Sequence, residues 1–459
     1  MTEDKEFLGT APIGKLLFRL AVPTVIAQLV NMLYNIIDRV YIGHMEENSA
    51  LALTGVGVCM PLILVVAAFA ALVSSGGAPR ASVHMGKKDC DTAEQILGNC
   101  LSLLLAISAV LTVILLLFNR DILLLFGASE NTIEYASSYM TVYAVGTVFV
   151  QLTLGLNMFI TAQGFARIGM LTVLIGAVIN IVLDPVFIFG LNMGVQGAAL
   201  ATILSQAVSC IWCLVFLCGR KTYLRIRKKY LPLKTGIIVP CVTLGLAAFI
   251  MQVSESIIAV CFNASLLKYG GDIAVGAMTI CTSTMQFAML PMQGIGQGAQ
   301  PIASYNYGAK NADRVKDTFL LLLKVCMSYS VVLYLAIMLF PGVFAGIFTS
   351  DRALIDYAVT ALRIYCAGMF LFGIQIACQL TFTSIGNAPC SIIVAVVRKF
   401  VLLIPLIYIV PAVGVLSSKA LDVYLAEPVA DVIAVTFTGI IFYYQFRKAL
   451  KNLNAEEET

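Results

Sequence analysis

The stretch Pro79-x-Ala81-Ser82-x-x-x-Gly86-x-Lys88 returns, shifted by 222 positions, as Pro301-x-Ala303-Ser304-x-x-x-Gly308-x-Lys310. At the same shift Phe126, Ile133, Tyr135, Tyr143, Gly146, Gly164 and Ala166 meet Phe348, Ile355, Tyr357, Tyr365, Gly368, Gly386 and Ala388. Nearer the start of each half the shift is smaller: Pro23 meets Pro240 and Asp38 meets Glu255. That difference is assigned to a longer loop around Asn263–Gly271. A chain made of two similar, very apolar halves is the mark of a machine in which two bundles rock about a site between them. The alternative is a duplicated scaffold with no transport role.

The halves are apolar enough to decide the solvent. Hydrophobic residues make up 60% of the 459 and charged residues 12%, against about 25% charged in soluble domains. Mean hydropathy is +0.94. Runs such as Cys100–Phe118 and Ala201–Cys218 are long enough to cross about 30 Å of hydrocarbon, and spans this apolar are helices rather than barrel strands. Twelve are predicted, at 15–40, 50–75, 93–118, 133–157, 166–190, 194–218, 236–262, 272–296, 316–341, 355–380, 391–413 and 424–446. The expected fold is all-α and integral to the membrane, with lobes 1–219 and 235–459 joined by a basic linker, 220–234. Six crossings per half is even, so the lobes are related by an axis along the membrane normal.

Lysine and arginine set the orientation. Lys5, Arg80, Lys87, Lys88, Arg167, the run Arg220–Lys234, Lys310, Arg314, Lys316, Arg447, Lys448 and Lys451 all fall on one side, whereas the other side has only Arg120, Lys268, Arg352 and Lys419. Both termini are therefore expected in the cytoplasm, with the chain multi-pass in the cell (inner) membrane. The linker's charge is read as a solvated segment against an anionic leaflet, not a nucleic-acid site, and the acidic tail Glu456–Glu458 as a solvated end.

Carboxylates inside spans are expensive and mark function. Asp38 lies in span 1, Asp184 in span 5 and Glu255 in span 7. Gln28, Asn31, Asn35 and Asp38 are spaced to share one helix face, which must meet protein or water. A hydrogen-bonded seam between helices is the other reading of the three amides. Arg39 points elsewhere around the helix. Asn180 and Asp184 stack one turn apart, and Pro185 kinks the helix beside them. This oxygen set suits Na⁺ or a proton. Tyr139 and Asn157 in span 4 are expected to face the same cavity. Gln252, Glu255 and Ser256 repeat the Asp38 region, but the twin of the Asn180–Asp184 face is Leu402–Leu406. Two intramembrane acids in the first half and one in the second place ion coupling mainly in the first, with Glu255 coupling or binding cationic substrate. Glu427-Pro428-x-x-Asp431 sits at the outer end of span 12, where interfacial solvation is an equal explanation.

Other motifs are structural. Gly294-x-Gly296-x-Gly298 has no following Lys-Ser/Thr, so it reads as close helix packing rather than a phosphate loop; no Walker motif occurs. Cys210-x-x-Cys213 lies within a span and reads as small core residues. Nothing has the constellation of a catalyst, and the expectation is a transporter without cofactors.

Pro23 with Asn35-x-x-Asp38, Pro79-x-Ala-Ser-x-x-x-Gly86 in the first inner loop, Asn180-x-x-x-Asp184-Pro185, and Gln297-Gly298-x-Gln300-Pro301-x-x-Ser304-Tyr305-Asn306-Tyr307-Gly308 together resemble the multidrug and toxic compound extrusion (MATE) family, in a bacterial branch. The resemblance covers essentially the whole chain. It implies two pseudo-symmetric six-helix lobes in a V, and export of organic, often cationic, compounds in exchange for H⁺ or Na⁺. Carried over by position, it implies a first-lobe cation site of Asp38, Tyr139, Asn157, Asn180, Asp184 and Thr202, with Asp38, Asn180 and Asp184 as ligands if the ion is Na⁺. Glu255 matches an acidic position of another branch, whose span 10 acid is Ile374 here. Partners are then drug-like cations, the coupling ion and the bilayer, with the protein a monomer. The rival on a related architecture is a flippase for lipid-linked oligosaccharides or other amphiphiles, which needs clustered Arg and Lys in its cavity.

Overall fold

The computed structural model describes residues 7–45 and 49–457. Lys5 and Glu458 lie outside them, as do the side chains of Glu456 and Glu457. Helices α1 (Ile13–Gly43), α2 (Ser49–Gly86), α3 (Cys90–Leu117), α4 (Ile133–Ala162), α5 (Ala166–Pro185) and α6 (Gly194–Cys218) form the first lobe. The second begins with one continuous helical stretch, Thr235–Gly308, broken only at Gly271, whose φ of 65° takes it out of the helix. Only glycine enters that region without steric cost. The stretch is thus two crossings, α7 (235–270) and α8 (272–308). Helices α9 (Ala312–Leu339), α10 (Arg352–Ser384), α11 (Ala388–Val413) and α12 (Lys419–Glu457) complete the lobe. The extra residues of the second half are therefore helix, not the expected loop: Ala264, Leu266, Leu267 and Lys268 are good helix formers and extend α7 up to Gly271.

Outward-facing stripes on these helices are apolar. Val110, Val113 and Leu117 on α3, Ile211 and Val215 on α6, and Val332, Leu335 and Leu339 on α9 are all exposed. At a spacing of three or four residues each set forms one face. In water such faces would be a large liability; hydrocarbon resolves it.

The lobes meet along α2 and α8, and the repeated motif builds the seam. Pro79–Gly86 and Pro301–Gly308 are the last turns of these helices, not inner loops as the sequence suggested. The helices are also bonded across the seam: the Ser82 hydroxyl donates to the Pro301 carbonyl, 3.4 Å. A Cβ on Gly86 would overlap the Tyr305 carbonyl, and one on Gly308 the Val83 carbonyl. Gly76 and Gly245 press likewise on Cys241 and Leu72. Gly294 and Gly298 admit the backbone of α1 at Val25 and Ala21, the packing role expected of the glycine run. Thr24 donates to the Gly294 carbonyl, 2.6 Å, and Gln28 to Gln297, 3.1 Å. The short helix Phe7–Thr10 is tied to the other lobe by Arg314, which donates to the carbonyls of Ala11 (2.7 Å) and Leu8 (3.3 Å), and by Asn306, which also donates to Leu8. These contacts all lie toward the N-terminal face.

The linker is less free than its charge suggested. Thr222 Oγ1 and the backbone N–H groups of Tyr223 and Leu224 donate to the Gln163 side-chain oxygen at 2.8–2.9 Å. Arg227 pairs with Glu94 at 2.5 Å, and Tyr230 hydrogen-bonds Asp91. The backbone is pinned to α3 and α4, while Arg220, Lys221, Arg225, Lys228 and Lys229 stay exposed.

Candidate functional site: a carboxylate pocket and a buried charge cluster

The first lobe gathers oxygens where α1 and α5 end and α4 and α6 begin. Asp184 and Pro185 close α5. Without a proline N–H the α-helical bond there is missing, and the chain continues as a wide π-turn, Val186–Gly190, a feature frequent at functional positions. Asn180, one turn earlier, donates to Asp184 Oδ1 at 3.2 Å and lies 3.5 Å from Thr202 Oγ1 on α6. Tyr139 of α4 stands beside the same threonine and stacks on Tyr143, ring centroids 6.3 Å apart. Asp38 enters from α1, buried, within electrostatic reach of Asp184, Tyr139 and Tyr34. Asp38, Asp184, Asn180, Thr202 and Tyr139 are thus brought together.

Among the described residues no cation forms an ion pair with either carboxylate; Arg39 acts on Asp38 only from a distance. Asp38 Oδ1, Asp184 Oδ2 and Asn180 Oδ1 are buried acceptors with no hydrogen-bond partner among the described residues. Two carboxylates held out of water without a paired cation are costly. A bound proton or a small cation removes the cost. Carboxylate, amide, hydroxyl and phenol oxygens are the hard donors that Na⁺ takes, so the residues fit such an ion. Among the described residues no three His, Cys, Asp or Glu side chains gather as a metal site, so the amide and hydroxyl oxygens would be part of any cation shell.

Asn157 does not join them. It lies about 27 Å further along α4 than Tyr139 at 1.5 Å per residue, and donates to the Gly169 carbonyl at 3.3 Å. It lines a cavity of about 60 Å³ at the seam with Ser82, Thr161, Gln297, Gln300 and Ser304. The polar stripe of α1 is likewise divided. Gln28 belongs to the seam, Asn35 bonds the Asn31 carbonyl at 2.6 Å, and Asn31, on the Gln28 face, is exposed. Tyr34, one turn before Asp38, was missed; its i−4 spacing on α1 was the available signal.

The second lobe differs from the sequence reading. Glu255 is no free acid: Lys399 of α11 reaches it at 2.7 Å. Beside this pair, Arg398 donates to Asp431 at 2.8 and 2.9 Å, comes within 3.6 Å of Glu427, and stacks over the Phe372 ring at 5.0 Å. Glu427 and Asp431 are buried, Asp431 to 1% exposure, so interfacial solvation does not explain them. Glu427 and Asp431 thus join Glu255 as acids within the second half's spans, where one was expected. Two signals were available: Glu427 and Asp431 share a face four residues apart, and Arg398-Lys399 lie inside a predicted span, where cations need partners. The π-turn Val397–Leu403 carries both cations. Gln252 is half-buried one turn before Glu255, on the same helix. Met292 is buried in the lobe core and Phe287 is exposed.

The comparisons agree with this architecture. The sequence model of the MatE family matches residues 23–186 and again 247–409, once in each lobe. The chain is 25% identical to multidrug export protein MepA of Staphylococcus haemolyticus (strain JCSC1435), over 98% of this chain and 97% of that protein. It is 24% identical to MepA of Staphylococcus aureus (strain N315), over 96% of each. A crystal structure of MATE in the bent conformation superposes with a TM-score of 0.91 over the whole of both chains at 24% identity. An outward-facing multidrug resistance MATE transporter gives 0.89, covering 99% of each chain at 24% identity. With two copies of the family's sequence signature and the full two-lobe fold, the chain belongs to the MATE (MatE) family of transporters.

Proposed function

We propose that this protein is a secondary antiporter that exports organic cations from the cytoplasm in exchange for H⁺ or Na⁺, as a monomer in the cell membrane with both termini inside. The carrying observation is the first-lobe pocket: two buried carboxylates with acceptor oxygens that no donor meets. The multidrug export relatives support the substrate class, and the one-sided Lys and Arg distribution supports the orientation.

The chemistry is competition for negative charge. In the outward-open form the cleft admits the ion to Asp38 and Asp184, and Asn180, Thr202 and Tyr139 orient the oxygens around it. Neutralisation lowers the cleft's attraction for a cationic substrate, which leaves. Closure and ion release on the inner side restore the charge and recruit the next substrate. Only the difference in affinity between the two states drives the cycle.

The flippase reading gains nothing from Arg398 and Lys399, since both are spent on carboxylates rather than free to hold a pyrophosphate. The test is ethidium transport by the purified protein in liposomes under an imposed Na⁺ or proton gradient. Movement coupled to one gradient and abolished by its collapse is the expected result; movement indifferent to both removes antiport.

A further inference from the structure

The second-lobe cluster contains three carboxylates and two cations, so it is one positive charge short. The shortage has a location. Arg398 is shared between Glu427 and Asp431, and Asp431 Oδ2 is buried with no hydrogen-bond partner among the described residues. Lys399 stands between this pair and Glu255. Its ammonium bonds Glu255 at 2.7 Å and also acts electrostatically on Glu427 and Asp431.

The two ends of the Lys399–Glu255 pair have different surroundings. Lys399 is 5% exposed, while the Glu255 side chain is 58% exposed. The more exposed carboxylate can exchange its partner at lower cost than the buried ammonium can. A buried ammonium cannot go unpaired, but here it has a second place to go. Lysine is a point charge on a flexible stem of four carbons, so it can turn from Glu255 to the under-compensated Glu427–Asp431 pair without leaving the protein.

We infer that Lys399 is an internal stand-in for the transported cation: it occupies Glu255 when the cleft is empty and withdraws to Glu427 and Asp431 when a monocationic substrate pairs with Glu255. This rests on the proposed export of organic cations. Substrate brings the cluster to three charges of each sign, and its departure lets Lys399 return and block rebinding. Lys399 is therefore a specificity residue acting through Glu255. It favours a single fixed positive charge and gives neutral compounds no advantage.

The test is equilibrium binding of ethidium to the purified full-length protein in nanodiscs, with a neutral lipophilic dye as control. Lys399→Met removes the competitor, so ethidium should bind at least ten-fold more tightly and the neutral dye unchanged. Glu255→Gln should weaken ethidium at least ten-fold, and in the Glu255→Gln background Lys399→Met should lose its effect. Lys399→Gln, which keeps a hydrogen-bond donor beside Glu255, gives the same reading if Lys399→Met does not fold. Unchanged or weaker ethidium binding in a folded Lys399 variant overturns the inference and leaves cation export standing. A wild-type protein that binds no ethidium removes both.

Discussion

Gly86 and Gly308 hold equivalent places in the two repeats, and each presses against the other's helix: Gly86 lies on the Tyr305 carbonyl and Gly308 on that of Val83. Val83 and Tyr305 are themselves equivalent. The seam is therefore built twice from one motif, and the absence of a Cβ at these positions lets the two backbones touch.

Gly308→Ala should consequently destabilise the protein, because the new methyl overlaps backbone that cannot yield. A cost of about 1–3 kcal/mol is expected for such overpacking, read as a lower unfolding temperature in detergent. Gly439→Ala is the control: nothing lies within 4 Å of its Cβ. There the helix gain of about 1 kcal/mol should leave stability equal or higher.

Arg314 is the anchor of the N-terminal helix, with 2.7 and 3.3 Å bonds to the Ala11 and Leu8 carbonyls and a 3.0 Å bond to Asn306. Arg314→Ala should raise amide exchange at residues 8–11 by ten-fold or more, since charged hydrogen bonds contribute about 1.5–3 kcal/mol each. Exchange at wild-type rates would show that the helix is held by packing alone.

Arg398 has a different weight from Lys399. Removing it leaves Glu427 and Asp431 buried against each other with no bonded cation, a loss of about 3–5 kcal/mol. Arg398→Ala should yield little folded protein, measured by monodisperse recovery on size exclusion. Combining it with Glu427→Gln and Asp431→Asn should restore recovery, because no buried charge is then left over.

Asp89 caps α3 outside the membrane region. Hydrogen bonds from Thr92, including its backbone N–H at 3.1 Å, hold the Asp89 carboxyl below the usual carboxylate range. A lowered folded-state value places the stabilisation above the unfolded value of about 3.9, and it is lost as pH falls through the folded one. Asp89→Ala should cost about 1 kcal/mol at pH 7, and its stability should converge on wild type below that carboxylate range.

The fold was legible because its two signals are global. The repeat of Pro79–Gly86 at Pro301–Gly308 gave two lobes, and hydropathy gave twelve crossings. Local detail was lost where context overrides pattern. The proline motifs read as loops, yet the partner lobe supplies packing that keeps them helical. At Asn263–Gly271 an insertion became helix because its residues favour it. In the site, Asn180 and Asp184 were found because one helical turn separates them. The pairing of Lys399 with Glu255 joins α11 to α7, which no spacing along the chain can show. Asn157 was expected to share a cavity with Tyr139 because both lie in one span, and the helical rise between them separates the two.

The central claim is that unpartnered carboxylates in the first lobe couple export to an ion. The most direct test is ethidium efflux from cells lacking other drug pumps, comparing wild type with Asp38→Asn at matched membrane expression. The account predicts efflux by wild type and a loss of at least ten-fold in the variant. Efflux of wild-type rate from Asp38→Asn would contradict it.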